Sequence, residues 1–467
     1  HFGSSIIFRV FIFHGLVALG MASAEDDLLP VDAVSDAALC RREFYLLCVT
    51  FGLNHATVTT PILFASSVLT NAAGQGGNAV LYFMTLICTL FFANPLFSTF
   101  GAKRGLVVSM TLYAAFVFSF AIASTLCDVR SDHGDCKQGQ PYQLPVIVIG
   151  STVGGLGAGL LWTCQGAFFA LVCERLALAE GREPSLVTAE LSGTWGSIFL
   201  AFECLVRALT TLLHTYGGLP FDVVFYGYAA LAFLAAGVFA LFATNLQKDG
   251  SGVADGKMCG KVLAAVQLWS DPMLWLLQPT NVTFGFAAAW LGGFVGRNIL
   301  SKALNLGFLG FAGALLSGLA AILSKVFGLM SVHVGKGPVI MLGSLAFLSL
   351  GIFSKWVGDP AEWGYGVLLF YVFMGVGRAV YESTNKGMFA DFFPGIKSAG
   401  AFANVFAFNS GASTVAFVLG ASGVELPELY LLLFFASLTV PGFLLATQLK
   451  TQRSSSVDLH AAYGSTQ

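Results

Sequence analysis

The stretch Gly375-Val376-Gly377-Arg378-Ala379-Val380-Tyr381-Glu382-Ser383-Thr384-Asn385-Lys386-Gly387 places three charged residues in a run that is otherwise apolar enough to cross a membrane. Arg378, Glu382 and Lys386 are spaced four residues apart, so a helix carries them on one face with opposite charges one turn apart. Apolar side chains flank the stretch on both sides, at Phe370, Tyr371, Phe373, Met374, Met388, Phe389, Phe392 and Phe393. The stretch therefore predicts a membrane-spanning helix with a mixed-charge stripe.

A second stretch, Gly155-Leu156-Gly157-Ala158-Gly159-Leu160-Leu161-Trp162-Thr163-Cys164-Gln165-Gly166-Ala167-Phe168-Phe169-Ala170, aligns with the first without gaps at an offset of 220 residues. Identical residues recur at Gly155 and Gly375, Gly157 and Gly377, Phe169 and Phe389, and Ala170 and Ala390. Where the later stretch has Glu382 and Lys386, the earlier one has Trp162 and Gly166. The alignment predicts an internal repeat whose two copies form equivalent helices but differ in their charged side chains.

The composition excludes a soluble globular protein. Of 467 residues, 56% are hydrophobic and 10% are charged, and the mean hydropathy is +0.78. The apolar runs are continuous over ~20 residues and do not alternate, which favours spanning helices over a β-barrel. The net charge of −2 gives no electrostatic basis for binding nucleic acid. The composition therefore predicts an all-α polytopic membrane protein surrounded by a lipid bilayer.

Twelve apolar runs are each long enough for a spanning helix. They lie at about 44–66, 78–100, 105–126, 144–172, 189–213, 221–244, 270–292, 306–328, 337–355, 364–388, 398–420 and 425–446. The longest polar break between them, from Leu246 to Ala264, divides the spans six and six. We therefore predict an N-terminal tail at 1–40, a six-helix bundle at 41–244, a cytosolic linker at 245–264, a second six-helix bundle at 265–447 and a cytosolic tail at 448–467.

The first twenty residues have two interpretations. An apolar run from Ile6 to Leu19 followed by Ala22-Ser23-Ala24 fits a signal peptide. Met21, followed by an acidic and polar stretch, fits an ordinary cytosolic start with the preceding residues as an untranslated extension. We expect Met21 to be the initiator.

Lys and Arg are distributed unequally between the two sides of the spans. With the N-terminus in the cytosol, thirteen of these residues lie inside and five outside. The positive-inside rule then predicts that both termini are cytosolic, in either the plasma membrane or an endomembrane. Cys127 and Cys136 share one outer loop, where oxidation is permitted, so we predict a disulfide between them, with two free thiols as the alternative.

A short basic turn follows the second span of each bundle. Gly101-Ala102-Lys103-Arg104-Gly105 lies between spans two and three, and Val334-Gly335-Lys336-Gly337 lies between spans eight and nine. Gly105 and Gly337 are 232 residues apart, and a longer loop at 127–142 than at 356–363 accounts for the difference from 220. The two repeats together predict two pseudo-symmetric six-helix bundles.

This arrangement of spans and turns resembles the major facilitator superfamily. Within it, the chain is similar to the uncoordinated-93-like family in Phe51-Gly52-Leu53-Asn54, in Gly101 to Gly105, in Gly155 to Gly166, and in Gly375 to Asn385 followed by Ala401-Phe402-Ala403-Asn404. The resemblance covers residues 43–446 and is strongest in span four. Arg378 and Lys386 depart from the family's pattern, so a family-wide mechanism is not assumed.

Charged residues of opposite sign lie within two predicted spans. Glu203 and Arg207 are four residues apart in span five, as are Arg378 and Glu382 in span ten, with Lys386 one turn further. An ionised side chain at mid-membrane costs ~2.5–3.5 kcal/mol on insertion scales, so these groups must pair or line water. We predict intramembrane ion pairs, which either serve the function or only neutralise each other and hold helices together. For Lys386, snorkelling to the cytosolic headgroups is the alternative.

The superfamily resemblance implies a central cavity lined by spans one, four, seven and ten. On that basis, the polar wall is predicted to comprise Asn54, His55, Trp162, Gln165, Gln278, Asn281, Arg378, Glu382 and Asn385. His55 either relays protons or forms a hydrogen bond between helices. Asn281-Val282-Thr283 matches a glycosylation acceptor, but its position inside a span favours a place in the polar wall.

Two functions are compatible with these features. The first is secondary transport of a small polar or charged solute, or an ion, by alternating access, with Arg378, Glu382 and Gln165 recognising it. The second, implied by the family resemblance, is a non-transporting regulator of an ion channel or a trafficking adaptor for a membrane receptor, which requires a membrane-protein partner. A charged, asymmetric cavity favours transport. The sequence has no phosphate loop, metal-spaced Cys/His cluster or nucleophile elbow, so we expect no cofactor, no metal site and no enzyme activity.

Overall fold

The computed structural model of the protein describes residues 31–246, 264–356, 358–393 and 397–464. Residues 1–20, Met21 and most of the expected linker lie outside these ranges. We number the twelve principal helices of the described residues in chain order. They are α1 Val31–Val68, α2 Asn71–Ile87, α3 Ala93–Thr125, α4 Gln143–Glu180, α5 Pro184–Thr211, α6 Phe221–Phe242, α7 Pro272–Trp290, α8 Leu309–Val334, α9 Lys336–Trp356, α10 Leu369–Val380, α11 Ser398–Ala421 and α12 Glu425–Gly464.

Shorter elements extend or join these helices. Wider π-helical turns continue α2, α5, α7 and α10, at Cys88–Phe92, Leu212–Tyr216, Leu291–Leu300 and Tyr381–Asn385, and the last two lead into α-helical segments at Ser301–Leu304 and Lys386–Phe392. Below, the label α10 includes its continuation to Phe392. Short helical segments precede α7, α8 and α10, at Ala264–Gln267, Leu268–Ser270, Leu306–Phe308, Pro360–Trp363 and Gly364–Leu368. Between α3 and α4, the strands β1 Cys127–Arg130 and β2 Cys136–Gly139 pair antiparallel, with Cys127 opposite Gly139.

The protein is a multi-pass membrane protein. Eleven helices of the described residues are long and apolar enough to cross a membrane. The exception is the seventh position, where α7 carries Gln278, Thr280, Asn281 and Thr283 near its middle. These polar residues lower its mean hydropathy, although α7 and its π-helical extension occupy the place of a spanning helix.

Glycines of the internal repeat occupy matching places in the first half, α1–α6, and the second half, α7–α12. A side-chain carbon added at Gly155 of α4 would lie 2.4 Å from the Leu81 carbonyl oxygen of α2. One added at Gly375 of α10 would lie 3.1 Å from the Leu316 carbonyl oxygen of α8. Each glycine thus allows one helix to approach the backbone of its neighbour, and α4 packs on α2 as α10 packs on α8.

The basic turns also match, but in a different register from the one expected. Gly101, inside α3, has φ 70° and ψ 177°, and Gly335, between α8 and α9, has φ 83° and ψ 167°. Both have the left-handed φ that glycine adopts most readily. The equivalent residues are therefore Gly101 and Gly335, and the sequence alignment of Gly105 with Gly337 was wrong by two positions.

The two ends of the bundle differ. We call the end that carries β1 and β2 the hairpin face, and the end where α1 begins and α12 ends the terminal face. At the hairpin face, a disulfide joins Cys127 and Cys136, as the sequence predicted. Six free cysteines of the described residues lie within the helices and are buried or half-buried, at Cys40, Cys48, Cys88, Cys164, Cys173 and Cys204.

Candidate functional site

A cavity lies between the two halves. Its volume is about 170 Å³, and side chains of both halves line it, including His55, Trp162 and Glu203 from the first and Arg378 and Glu382 from the second. Pockets for drug-sized ligands have volumes of roughly 300–1,000 Å³. The cavity is therefore of a size that suits a small solute.

Five charged side chains meet along this cavity. Arg378 of α10 donates two hydrogen bonds of 2.7 Å to Glu203 of α5, one from each terminal nitrogen to each carboxylate oxygen. Arg207, one turn after Glu203, forms an ion pair with the same carboxylate. Lys386 donates a hydrogen bond of 2.6 Å to Glu382. One carboxylate is thus shared by guanidinium groups from both halves.

This pairing adds a partner that the sequence did not indicate. The expected ion pair of Arg378 with Glu382, one turn away, is present but long, with the Arg378 Nε 3.9 Å from the Glu382 Oε1. The π-helical turn Tyr381–Asn385 begins between the two residues and changes the regular spacing of their side chains. The main partner of Arg378 is Glu203, 175 positions away and in the other half of the molecule.

Arg207 also connects the two halves. Its Nη1 donates a hydrogen bond of 2.6 Å to the Ser317 hydroxyl and one of 3.4 Å to the Gly313 carbonyl, both on α8. The buried charge of Arg207 is therefore held by one carboxylate and two neutral acceptors. Since an ionised group at mid-membrane costs ~2.5–3.5 kcal/mol on insertion scales, these contacts are needed to keep it there.

The exposure of the charged side chains rises in one direction. Glu203 is fully buried, Arg207 is 7% exposed and Arg378 is 10% exposed. Glu382 is 11% exposed and Lys386, nearest the terminal face, is 29% exposed. The most exposed charge of the network therefore lies on its terminal-face side.

Aromatic side chains surround the charges. Trp162 of α4 stacks on Phe406 of α11 with ring centroids 5.3 Å apart, and the Lys386 ammonium lies 5.7 Å from the Trp162 ring centroid. Lys386 is thus held by a carboxylate and an aromatic face. It lies in the site, and headgroup snorkelling is not needed to account for it.

His55 lies among aromatic rings. Its ring centroid is 5.6 Å from Phe51 and 5.2 Å from each of Trp162 and Phe199. Its Nδ1 has no hydrogen-bond partner among the described residues. The interhelical hydrogen bond considered from sequence is therefore not made through this nitrogen, and His55 contributes a packed ring to the cavity wall.

Several residues predicted for the cavity wall lie elsewhere. Asn54 is fully buried and donates to the Met110 and Ala232 carbonyl oxygens, so it ties α1 to α3 and α6. Gln165 is buried in α4 and is not among the residues that line the cavity. Hydrogen bonds between helices account for Asn54 better than solute recognition does.

The amide residues of α7 are also not among the residues that line the cavity. Asn385 of α10 donates to Asn281 at 2.9 Å, and Asn281 donates to Gln278 at 2.7 Å. This buried chain of amides joins α10 to α7 within the second half. Gln278, Asn281 and Asn385 therefore hold helices together, and their assignment to the cavity wall was wrong.

Other cavity residues were not predicted. Tyr82, Tyr113, Tyr381 and Asn409 line the cavity, and Asn409 donates a hydrogen bond of 3.2 Å to the Tyr381 hydroxyl. Tyr82 and Asn409 lie on α2 and α11, outside the four spans from which the wall was expected. The signal in the sequence that could have identified these residues is a hydroxyl or amide group at the end of a side chain within an apolar span.

Contacts between the halves concentrate towards the hairpin face. The Ser66 hydroxyl of α1 donates to the Gly292 carbonyl at 2.8 Å, and the Thr211 hydroxyl of α5 donates to the Gly307 carbonyl at 2.6 Å. Asn71 of α2 donates to the Gly420 carbonyl of α11 at 3.0 Å. These bonds close the hairpin-face end of the cavity.

The hairpin itself takes part in this closure. The Leu306 amide donates to the His133 carbonyl at 3.3 Å, and Arg297 donates to the Cys136 carbonyl at 3.3 Å. Asp135 of the hairpin lies near Arg297, and its partial burial raises the pKa of its carboxyl above the ordinary value. The first half thus reaches over the hairpin-face end of the second half.

Ion pairs near the terminal face have a different pattern. Arg41 pairs with Glu180, and Arg182 with Glu190, within the first half. Lys336 pairs with Asp391, and Arg453 with Asp271, within the second half. These pairs stabilise each half and leave the two halves free to separate at this face.

The site offers side chains for an anion and aromatic surface for an apolar group. Within the described residues, no group of three or more His, Cys, Asp or Glu side chains is placed to hold a metal ion. The chemistry of the cavity is therefore that of charge pairing and packing.

Comparisons with known proteins agree with this architecture. No protein-family model matches the sequence. The chain is 24% identical over 377 residues to protein unc-93 homolog A of Bos taurus, covering 71% of this chain and 76% of the relative. It superposes on a D-xylose-proton symporter with a TM-score of 0.62 at 13% identity, covering 86% of this chain and 96% of the other. On the nucleoside transporter NupG the TM-score is 0.57 at 14% identity, with 88% and 98% covered.

Proposed function

We propose that the chain, which is similar to unc-93 homolog A and has the fold of solute transporters, is a secondary transporter that moves a small polar or charged solute through the cavity between its halves by alternating access. One observation carries this proposal above all. The charge network of Glu203, Arg207 and Arg378 crosses from one half to the other along a cavity between them, and the hydrogen bonds that join the halves beyond it lie towards one face.

The arrangement of contacts supports a moving interface. Alternating access requires the halves to separate at one face while they meet at the other. Hydrogen bonds between the halves lie towards the hairpin face, at Ser66 and Asn71 for example, whereas the ion pairs of the terminal face stay within one half. A fixed scaffold has no need of this asymmetry.

We also propose that both termini lie in the cytosol, since thirteen Lys and Arg residues against five favour that orientation. The structure then corresponds to a state that is closed towards the outside and accessible from the cytosol. Tags placed after Gln467 are expected to be protected from protease in intact cells and cleaved after permeabilisation.

A crosslinking experiment tests the alternating-access proposal. Cysteines replacing Ser66 and Gly292 are expected to crosslink on oxidation, to block solute uptake into proteoliposomes, and to release the block on reduction. The matched control replaces Arg41 and Glu180, which lie within one half, and its crosslink is expected to leave uptake intact.

Uptake is measured for a panel of radiolabelled carboxylates, amines, amino acids and sugars under pH and potassium gradients. At least one is expected to accumulate. Silence across the panel in every gradient, together with recovery of a channel or receptor on pull-down, would instead support the regulator or adaptor function.

A further inference from the structure

We infer that Glu203 is a built-in competitor at a carboxylate-binding site on Arg378, and that the transported solute is a small monocarboxylate that takes its place. This inference rests on the proposed function and names its substrate class. In the observed state, the carboxylate of Glu203 makes the two parallel hydrogen bonds that a guanidinium group offers to any carboxylate.

The balance of charges calls for one anion. Three cations, on Arg207, Arg378 and Lys386, face two carboxylates, on Glu203 and Glu382. Lys386 and Glu382 form one neutral pair, so Glu203 alone serves both arginines and one positive charge stays uncompensated. The excess lies on the most buried part of the network, where an unbalanced charge is least tolerated.

A bound monocarboxylate resolves this imbalance without a proton or a second ion. When the solute occupies Arg378, Glu203 stays with Arg207, its neighbour on α5, and Glu382 stays with Lys386. The cavity then holds three neutral pairs. A solute with no charge or a positive charge leaves the excess in place.

The walls define the rest of the solute. Phe284 stacks on Tyr381 with centroids 3.9 Å apart, and Tyr82 stacks on Phe417 at 5.6 Å, and all four side chains line the cavity. These rings offer apolar surface next to Arg378 in a space of about 170 Å³. A carboxylate with a short apolar tail fits this surface better than a hydrated inorganic anion does.

The displacement has a mechanical consequence. Glu203 belongs to the first half and Arg378 to the second, so their hydrogen bonds tie the halves together. A solute that binds Arg378 removes this tie. Binding is thereby coupled to the separation of the halves, because a ligand shifts a conformational equilibrium only through contacts that differ between the two states.

The test measures binding of radiolabelled butyrate to the purified full-length protein by equilibrium dialysis, with chloride as a competitor. Glu203→Gln removes the competing carboxylate and is expected to tighten butyrate binding about tenfold or more, in line with the strength of charged hydrogen bonds. Glu382→Gln makes the same change in charge without freeing Arg378, and is expected to tighten it no more than about threefold. Arg378→Lys keeps the charge but loses the paired geometry, and is expected to weaken binding about tenfold.

Each outcome decides the matter. Equal gains for Glu203→Gln and Glu382→Gln would show a general field effect and overturn the competition. Displacement of butyrate by chloride at similar concentrations would make this a halide site and overturn the carboxylate assignment. If Glu203→Gln fails to fold, the Arg378→Lys result still decides, since unchanged affinity there overturns the inference. Uptake of a sugar or amine with no butyrate binding overturns this inference and leaves transport standing. Butyrate binding with no uptake of any solute overturns transport and leaves the competition between Glu203 and a monocarboxylate at Arg378 standing.

Discussion

α4 and α10 pack against their neighbouring helices in the same way but present different side chains to the cavity. Each approaches a neighbouring helix through a glycine at the same repeat position, Gly155 or Gly375. At the positions that face the other half, α4 presents the aromatic ring of Trp162 where α10 presents the carboxylate of Glu382. The comparison shows that the repeat preserves the packing frame, while the residues facing the cavity are free to diverge.

The divergence is complementary. The Lys386 ammonium of α10 lies against the Trp162 ring of α4, and Arg378 of α10 finds its carboxylate on α5 of the first half. The binding site thus combines α10 with its symmetry mate α4, through Lys386 and Trp162, and with α5, through Arg378 and Glu203. The site therefore exists only when the two halves are together, as the proposed alternating access requires.

The largest expected effect comes from removing the charge that α10 has and α4 lacks. Arg378→Ala is expected to lower solute uptake by about two orders of magnitude, since a bidentate charged contact is lost. The fold is expected to survive, because Glu203 retains Arg207. Proteoliposome uptake and size-exclusion profiles measure the two effects. Normal uptake by a well-folded Arg378→Ala protein would remove α10 from the solute site.

Exchanging the charges of Arg378 and Glu203 distinguishes their role in holding the two halves together from a role in solute recognition. Arg378→Glu alone sets two carboxylates against each other and is expected to destabilise the protein by about 3–5 kcal/mol, as broken buried ion pairs do. Adding Glu203→Arg restores opposite charges across the halves and is expected to recover most of the thermal stability but not the uptake. Recovery of uptake together with stability would show that these charges are only a scaffold.

Substituting the two equivalent glycines tests whether the two halves pack in the same way. Gly155→Ala places its new carbon 2.4 Å from a carbonyl oxygen and is expected to cost about 1–3 kcal/mol, whereas the Gly375→Ala carbon lies 3.1 Å from its nearest neighbour and is expected to cost less. Thermal unfolding in detergent measures both. A larger loss at Gly375 would mean that the two halves do not pack alike.

The smallest effect concerns pH at the hairpin face. Burial raises the pKa of the Asp135 carboxyl, against the attraction of Arg297 and the smaller effect of His133. A raised pKa means that the docked hairpin holds the proton more tightly than the undocked one. Docking is therefore favoured as pH falls through this pKa and weakened as pH rises above it. Asp135→Asn is expected to remove the dependence, as measured by the rate of crosslinking between cysteines replacing His133 and Leu306 after correction for the thiolate fraction at each pH. A dependence that persists in Asp135→Asn would assign it to another group.

Local features of the sequence predicted the fold well. The apolar runs gave twelve helices because a span must satisfy its own backbone hydrogen bonds in lipid. The repeat at Gly155 and Gly375 predicted the two halves, since helix packing depends on small residues that can be seen in the sequence. Cys127 and Cys136 predicted a bridge because they are near each other in one loop.

The partner of Arg378 could not be predicted in the same way. Spacing along α10 favoured Glu382, and nothing local indicates that a π-helical turn intervenes or that Glu203 approaches from the other half. Asn54 failed for a related reason, because its hydrogen bonds go to carbonyl groups of two distant helices. Contacts between residues that are distant in the sequence produce no periodic pattern from which they could be predicted.

The hairpin at Cys127–Gly139 imposes an order on assembly. Cys136 leaves the ribosome 170 residues before Leu306, whose amide the hairpin later binds. At about 5–20 residues per second, synthesis of that interval takes roughly 10–30 s. During this time the hairpin has no docking surface, and a disulfide formed in this interval would add to the strand pairing that holds it together. The hairpin is therefore synthesised before the part of the second half that it covers. A chain whose synthesis stops before α8 exposes a hairpin without its docking surface.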